Sequence, residues 1–241
     1  MDQNFLLLLI AVVIVLIVVT VIGVLLYSGL SYSPTVQTST ENLPIGACRF
    51  AYKFHHGSYS GSAVSGSFTE AASLAPQAKG IGIFYDDPNS TPEAELRCAV
   101  GRVLPEENEE NQPMKEGASG MESVFRQHGF SVVQLPRVDT AVTASFPYTT
   151  PLSIWIAPVK VYPRIIEYIS ERQLCAYPMI EVYTGSEIQF MAPMLRQEDF
   201  WVPETRREED EETEESDAEE ATSSGEEEGE DSSRSPSFKS A

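Results

Sequence analysis

The most constraining feature of this sequence is an uncharged apolar segment close to its N-terminus. Residues 5–26 read FLLLLIAVVIVLIVVTVIGVLL, and nineteen of these 22 residues are Leu, Ile, Val or Phe. As a helix, the segment would span about 33 Å, which matches a hydrocarbon core about 30 Å thick. Each of these side chains favours insertion at mid-membrane by about 0.3–0.6 kcal/mol. The sequence therefore predicts one transmembrane helix over residues 5–27.

A cleaved signal peptide is the alternative interpretation of this segment. Signal peptides have a positively charged start, a shorter apolar core and a cleavage site flanked by small residues. Here the start contains Asp2 and neither Lys nor Arg, so we expect a retained anchor. The nearest basic residues, Arg49 and Lys53, follow the segment. By the positive-inside rule they mildly favour a luminal N-terminus with the bulk of the chain in the cytosol.

The C-terminal part of the chain is strongly acidic. Residues 204–241 contain 16 acidic and 4 basic residues, and no basic residue lies between Glu208 and Asp231. Repelling charges with few apolar side chains cannot form a core, which predicts a disordered acidic tail over residues 203–241. The rest of the chain is also net negative and has no basic patch, which argues against direct nucleic-acid binding.

The residues between anchor and tail predict an α+β domain. A polar, Ser/Thr-rich linker without anything to bury is expected at residues 28–42, and a folded domain at residues 43–202. Apolar periodicity predicts strands at 46–55, 80–86, 95–103, 131–135, 138–146, 178–184 and 187–192, helices at 67–75 and 159–173, and a loop at 105–120. The second helix rests on the apolar spacing of Tyr162, Ile165, Ile166 and Ile169, with Pro163 expected in its first turn.

Two stretches of sequence suggest an internal duplication. The segments FHHGSY at 54–59 and TASFPY at 143–148 each end a predicted strand and precede a helix and two further strands. A duplicated βαββ unit would bury its helices on one face of a sheet. The other face would then be concave and partly open, as small-molecule sites often are.

Two motifs carry a resemblance to a known family. The segments YKFHHGSY at 52–59 and MIEVYTGSEIQFMAPM at 179–194 resemble the opening and the closing hairpin of a GyrI-like domain, which is a duplicated, SHS2-type βαββ fold. The order of anchor, GyrI-like domain and acidic Ser-rich tail resembles a vertebrate family of receptors for selective autophagy of the endoplasmic reticulum (ER-phagy).

This resemblance implies a cellular location and a set of partners. The place is the endoplasmic reticulum membrane, with the nuclear envelope and the autophagosome as further locations. The tail would engage Atg8/LC3/GABARAP-type proteins. The resemblance also implies recruitment of the p97 segregase and a protease to DNA–protein crosslinks, which is a DNA repair function. It implies an adaptor rather than an enzyme, without a cofactor.

The tail departs from the docking peptide of that family, in which an aromatic residue is followed three positions later by an aliphatic one. Such a peptide adds a strand to the partner's sheet and fills two pockets. Phe238 suits the first pocket, but Ala241 offers only a methyl group to the second, and Lys239 replaces an acidic residue. Ala in place of Leu forfeits about 1.5–2 kcal/mol, more than tenfold in affinity. We expect a variant with an altered, shortened C-terminus and weakened Atg8-type binding.

A candidate ligand site lies on the predicted strand at 178–184. Alternation places Glu181 and Tyr183 on the face opposite to Ile180 and Val182. If the aliphatic residues face the helices, Glu181 and Tyr183 line the concave side, with Trp155 nearby. A carboxylate in an apolar cleft has a raised pKa. The resemblance implies a small amphipathic ligand there, or a hydrolase that uses the carboxylate as an acid or base, while a solvated carboxylate without a ligand remains the open alternative.

The remaining reactive residues predict no catalytic or metal site. Cys48, Cys98 and Cys175 are far apart and follow no metal-ligand spacing, and the adjacent strand residues His55 and His56 point to opposite faces. In the tail, downstream acidic residues make three serines candidates for phosphorylation, although they also suit a merely solvated tail. These serines are Ser216, Ser223 and Ser224.

Overall fold

The computed structural model describes residues 3–41, 43–105 and 117–208. It divides the chain into two compact units, Met1–Phe200 and Trp201–Ala241. In the second unit, residues 203–208 are helical. Most of the predicted loop at 105–120 and most of the predicted acidic tail lie outside the described residues.

The first unit contains helices and antiparallel strands, as the sequence predicts for an α+β domain. The helices are α1 (Gln3–Leu25), α2 (Ser62–Leu74), α3 (Gly117–Gln127) and α4 (Ser153–Glu171). The strands are β1 (Gln37–Ser39), β2 (Cys48–His56), β3 (Gly80–Phe84), β4 (Arg97–Leu104), β5 (Ser131–Leu135), β6 (Ala141–Pro147), β7 (Met179–Tyr183) and β8 (Glu187–Pro193). Short 3₁₀ turns lie at Glu93–Glu95 and Gln197–Phe200.

The apolar N-terminal segment forms α1, which buries none of its residues. Its single hydroxyl, that of Thr20, returns a 2.8 Å hydrogen bond to the carbonyl of Leu16 and therefore needs no outside partner. The helix is long and apolar enough to cross a bilayer. A core helix of a soluble protein would cover such a surface. The exposed apolar side chains of α1 therefore fit a membrane protein.

The segment that follows α1 is packed and paired, so the prediction of a linker without anything to bury is wrong. A π-helical turn at Leu26–Leu30 continues α1, and Ser28 and Gly29 within it are buried. Farther along, β1 pairs with β6 at the edge of the sheet. The polar residues that suggested a linker find partners instead, as the 3.1 Å contact between the hydroxyls of Ser39 and Thr143 shows.

The eight strands form one antiparallel sheet in the order β1-β6-β8-β7-β3-β4-β2-β5. Its central pair joins β7 to β3, with Val182 opposite Ile81. Helices α2 and α4 pack on one face of this sheet. There Val64 of α2 joins Val100 of β4 in one buried cluster, and Val161 of α4 belongs to another with strand residues of β6 and β8.

The centre of the second sheet face is buried as well, whereas some of its positions on β6 and β8 are half-buried, as at Thr143, Ser145 and Gln189. Six of its large apolar side chains have no solvent exposure: Phe50, Ile81, Ile83, Ile180, Val182 and Met191. Apolar burial on both faces at the centre of the sheet explains why apolar residues occupy successive positions of β4, as at Cys98, Ala99 and Val100.

Helix α4 begins six residues before the predicted start and contains both Pro158 and Pro163 in its interior. The prediction that Pro163 lies in the first turn is therefore wrong. Each proline removes one hydrogen bond and costs about 3 kcal/mol in a helix interior. A buried stripe at a spacing of four residues offsets this cost. The stripe consists of Ser153, Ala157, Val161 and Ile165.

Two further elements were not predicted from the sequence. Strand β1 has only three residues, and α3 starts at Gly117, inside the predicted loop. Phe125 of α3 is fully buried and meets Phe130 edge to face at 5.1 Å between ring centroids. This apolar contact fixes α3 against the sheet.

Candidate functional site

A single buried carboxylate lies at the middle of the helix-covered sheet face. Glu181 on β7 is paired with Gly82 of β3 and with Phe190 of β8, and it is 3% exposed. The hydroxyl of Tyr162 on α4 donates a 2.7 Å hydrogen bond to Oε1, and the hydroxyl of Tyr183 donates one to Oε2. Each carboxylate oxygen therefore has one donor.

The face on which Glu181 lies differs from the prediction. The aliphatic neighbours Ile180 and Val182 lie on the second sheet face, while Glu181 and Tyr183 face α4. The alternation itself is correct, but it was assigned to the wrong faces. Because both sheet faces are buried, apolar character does not identify the face that the helices cover.

Burial and hydrogen bonding shift the pKa of this carboxylate in opposite directions. Burial raises the pKa of Glu181 above its ordinary value, and the hydrogen bonds from Tyr183 and Tyr162 offset only part of that rise. Burial and the negative charge of Glu181 also raise the pKa values of both tyrosines well above their usual range. The tyrosines therefore remain protonated donors. A carboxyl group in such surroundings can hold a proton or pair with a cation.

Aromatic rings surround the carboxylate. The ring of Tyr162 meets Phe190 edge to face at 5.7 Å, and Phe68 of α2 meets Tyr183 in the same way at 5.2 Å. Opposite Glu181, a Cβ atom at Gly82 would lie 2.8 Å from the ring of Phe84. The absence of a side chain at Gly82 therefore lets the rings close in, and the resulting environment combines one carboxylate with several aromatic rings.

The structure brings Glu181 and Tyr183 together but not Trp155. Trp155 precedes Tyr162 by seven residues, about 10 Å along α4, and its side chain is 59% exposed. Tyr162 is the residue that the sequence prediction missed, because its helical spacing with Ile165 suggested a core position. Its hydroxyl was the available signal, since a buried Tyr usually finds a polar partner.

The two adjacent histidines point to opposite sheet faces, as predicted. Nε2 of His55 lies 3.0 Å from the hydroxyl of Ser67 on α2, and burial lowers the pKa of His55. The ring of His56 meets Phe54 edge to face at 5.2 Å. Within residues 3–41, 43–105 and 117–208, no three His, Cys, Asp or Glu side chains cluster as metal ligands would.

The predicted tail sites cannot be placed on this fold. They comprise the docking residues Phe238 and Ala241 and the phosphorylation candidates Ser216, Ser223 and Ser224, all of which lie outside the described residues. These assignments stay predictions.

Solved structures show only distant similarity to this chain. A hydrolase from Listeria innocua is 10% identical, with a TM-score of 0.38 over 67% of this chain and 90% of the other. The C-terminal domain of EcmrR is 12% identical, with a TM-score of 0.39 over 67% of this chain and 96% of the other. Similarity at this level carries no argument about function.

Curated sequences give a closer match, although no protein-family model matches the chain. Testis-expressed protein 264 of Homo sapiens is 40% identical over 209 residues, which cover 87% of this chain and 64% of that protein. Its homolog in Mus musculus is 40% identical over 183 residues, or 76% of this chain and 56% of that protein. The chain thus spans less than two thirds of the length of these relatives. It is a homologue of testis-expressed protein 264.

Proposed function

We propose that this protein is a single-pass adaptor of the endoplasmic reticulum membrane with its N-terminus in the lumen and its folded domain and tail in the cytosol. The observation that carries the retained anchor is the junction between α1 and the domain. The hydroxyl of Thr149 donates a 2.8 Å hydrogen bond to the carbonyl of Tyr27, and the hydroxyls of Ser28 and Thr150 lie 2.7 Å apart. Because α1 continues directly into this packed turn, removal of a signal peptide would require cleavage within or directly beside a helix that contacts the domain.

The proposed activity is recruitment of cytosolic machinery to the membrane. The homology to testis-expressed protein 264 and the acidic Ser-rich tail support a receptor for ER-phagy that engages Atg8/LC3-type proteins. In this chain Ala241 stands three positions after Phe238, where a larger aliphatic residue would fill the second pocket better, so a docking peptide built on these two residues binds weakly. Recruitment of the p97 segregase and a protease to DNA–protein crosslinks is a second part of the same proposal.

The test compares three forms of the full-length chain in cells: unaltered, truncated after Pro203, and carrying Ala241→Leu. Capture of an Atg8-type protein should be lost on truncation, and Ala241→Leu should raise affinity more than tenfold. Phe238→Ala in the Ala241→Leu chain is the matched control and should reverse the gain. Equal capture by all forms would contradict recruitment through the tail.

We further propose that the domain is GyrI-like. Supporting this, the strands of each half have the same order: β2 neighbours β4, which neighbours β3, just as β6 neighbours β8, which neighbours β7. The halves meet where β3 pairs with β7, and α2 and α4 follow the first strand of their respective halves.

Small-molecule binding is a second candidate function, favoured by the site around Glu181. A buried carboxylate beside aromatic rings suits an organic cation, because the charge pairs with the carboxylate and the rings contribute cation–π attraction. Such a ligand would replace the hydrogen bonds from Tyr162 and Tyr183. A protonated Glu181 would also suit a general acid in a hydrolase.

The ligand hypothesis predicts a rise in melting temperature with some members of a panel of amphipathic cations. Glu181→Gln should remove that rise, whereas Glu95→Gln, at an exposed position, should not affect it. If no cation in the panel shifts the melting temperature of the unaltered chain, small-molecule binding of this class is wrong. Ester hydrolysis that is lost in Glu181→Gln would instead support a hydrolase.

A further inference from the structure

Helix α4 carries an apolar stripe on its outer surface. Ile154 (36%) lies on the side of the buried stripe, whereas four more exposed side chains lie together: Leu152 (40%), directly before the helix, Trp155 (59%), Val159 (75%) and Ile166 (44%). At 100° per residue they fall within about 60° of arc, on the side opposite to the buried stripe of the same helix. Scattered apolar residues need no explanation, but an aligned patch marks an interaction surface.

The start of this stripe lies at the end of α1. Ser153, in the first turn of α4, donates a 3.1 Å hydrogen bond from its hydroxyl to the carbonyl of Ser28. Its neighbours Thr149 and Thr150 contact Tyr27 and Ser28. These contacts join the first turn of α4 directly to the turn that ends the apolar helix.

The length of α1 places this junction at the depth of the lipid headgroups. The apolar run ends at about Leu26, after a length that matches the hydrocarbon thickness, and the headgroup layer extends about 5–8 Å beyond the hydrocarbon. Ser28 and the first turn of α4 therefore lie within that layer. The exposed side chains of Tyr27 (69%) and Leu30 (43%) lie at the same level.

We propose that Leu152, Trp155 and Val159 insert into the boundary between headgroups and acyl chains of the same membrane that α1 crosses. The occupant is lipid because the hydrogen-bonded junction holds this part of the stripe beside the bilayer. Trp prefers this boundary, where its indole ring is apolar and its N–H meets water. Two attachments, α1 and the start of α4, then fix the tilt of the sheet relative to the membrane.

The opposite end of the domain provides an internal reference. Strand β6 runs from Ala141 to Pro147, just before Thr149, and Ala141 pairs with Pro193 of β8. The amide of Tyr177 donates a hydrogen bond to the carbonyl of Pro193. Tyr177, which is 37% exposed, therefore lies about 20 Å, or six strand residues, from the end of β6 that approaches the membrane.

Tryptophan quenching by brominated lipids tests the proposal in the full-length chain, whose two tryptophans are Trp155 and Trp201. The chain is reconstituted into phosphatidylcholine vesicles with and without bromine on the acyl chains. Bromine should lower the emission of Trp155 at least twofold. Trp201→Phe, whose emission comes from Trp155 alone, should show this quenching in full, and Trp155→Phe should be quenched less than the unaltered chain.

A reference variant separates insertion from chance collisions. In a chain with Trp155→Phe and Trp201→Phe, Tyr177→Trp places the reporter at the far end of the domain, where bromine should leave its emission unchanged. Two results would overturn the proposal: no bromine quenching in Trp201→Phe, or quenching at position 177 equal to that of Trp155. If Trp201→Phe fails to fold, equal quenching of the unaltered chain and Trp155→Phe would overturn it in the same way.

Discussion

The hydroxyl of Tyr162 on α4 lies 2.7 Å from Oε1 of Glu181 on β7, so one hydrogen bond joins a helix to the middle of the sheet. The hydroxyl of Tyr183 holds the other carboxylate oxygen from the same strand. Because the carboxyl group is buried, its charge state decides how well the helix, the sheet and the aromatic rings between them fit together.

The first prediction concerns the pH dependence of stability. The pKa of Glu181 is raised in the folded protein, so its contribution to stability is fully present below the unfolded pKa of about 4.3. That contribution is lost as pH rises through the folded pKa. The loss is about 1.4 kcal/mol for each unit by which the folded pKa exceeds the unfolded one. Glu181→Gln should remove this decline in melting temperature above pH 4.3, measured on the full-length chain in nanodiscs.

The exposed residue Glu95 provides the matched control, since Glu95→Gln changes the net charge equally without altering a buried group. It should keep the pH dependence of the unaltered chain. If Glu181→Gln also keeps that dependence, the raised pKa of Glu181 is refuted.

The second prediction isolates the hydrogen bond from Tyr162. Tyr162→Phe removes one donor from a buried carboxylate, which should lower the free energy of unfolding by about 1–3 kcal/mol. The loss should be larger at pH 8 than at pH 4.5, because the bond is stronger to the ionised carboxylate. Tyr168→Phe on the same helix is the control. Its hydroxyl makes an exposed 3.3 Å contact with Thr38 and none with the buried carboxylate of Glu181, so an effect below about 0.5 kcal/mol is expected.

The sequence predicted strand positions better than helix positions. Strand β5 has the predicted bounds, β7 is one residue shorter than predicted at each end, and β8 is one residue longer at its C-terminal end. Strands depend on local alternation, which a sequence displays directly. The start of α4 was missed because Pro158 and Pro163 argue locally against a helix there, whereas packing against the sheet decides in its favour.

The sequence predicted residues of the candidate site but not the sheet face on which they lie. Glu181 and Tyr183 were identified from their alternation, yet the covered face depends on which side receives α4. Tertiary contacts set the side on which the helix packs, and local alternation does not reveal that side when both are apolar. Tyr162 was missed for a related reason, since its partner Glu181 is 19 residues away along the chain.

The third prediction concerns the junction between α1 and the domain. Gly29 has a φ of +102°, and a Cβ atom there would lie 2.5 Å from Cζ of the buried ring of Phe146. Gly29→Ala should therefore lower the free energy of unfolding by about 1–2 kcal/mol from the backbone alone, with the ring clash in addition. Gly23→Ala in α1, where a Cβ would meet nothing within 4 Å, is the control and should be neutral. Equal melting temperatures for both variants would contradict a packed junction.

The fourth prediction concerns thiol reactivity. Cys175 is exposed, whereas Cys48 and Cys98 are buried, and burial raises the pKa of the Cys98 thiol to about 12. A maleimide should label one thiol of the native chain rapidly and the other two only after denaturation, since the thiolate is the reactive form. Mass spectrometry of digested samples identifies the labelled residues. Rapid native labelling of Cys98 would show that the contact between α2 and the sheet is open.

The central claim is that α1 remains attached and anchors the domain to a membrane. Intact-mass spectrometry of the full-length chain, recovered from cell membranes after an alkaline wash, tests this claim most directly. The account predicts a membrane-bound chain whose mass includes residues 3–26. A chain that begins after Tyr27 and is released by the wash would contradict it.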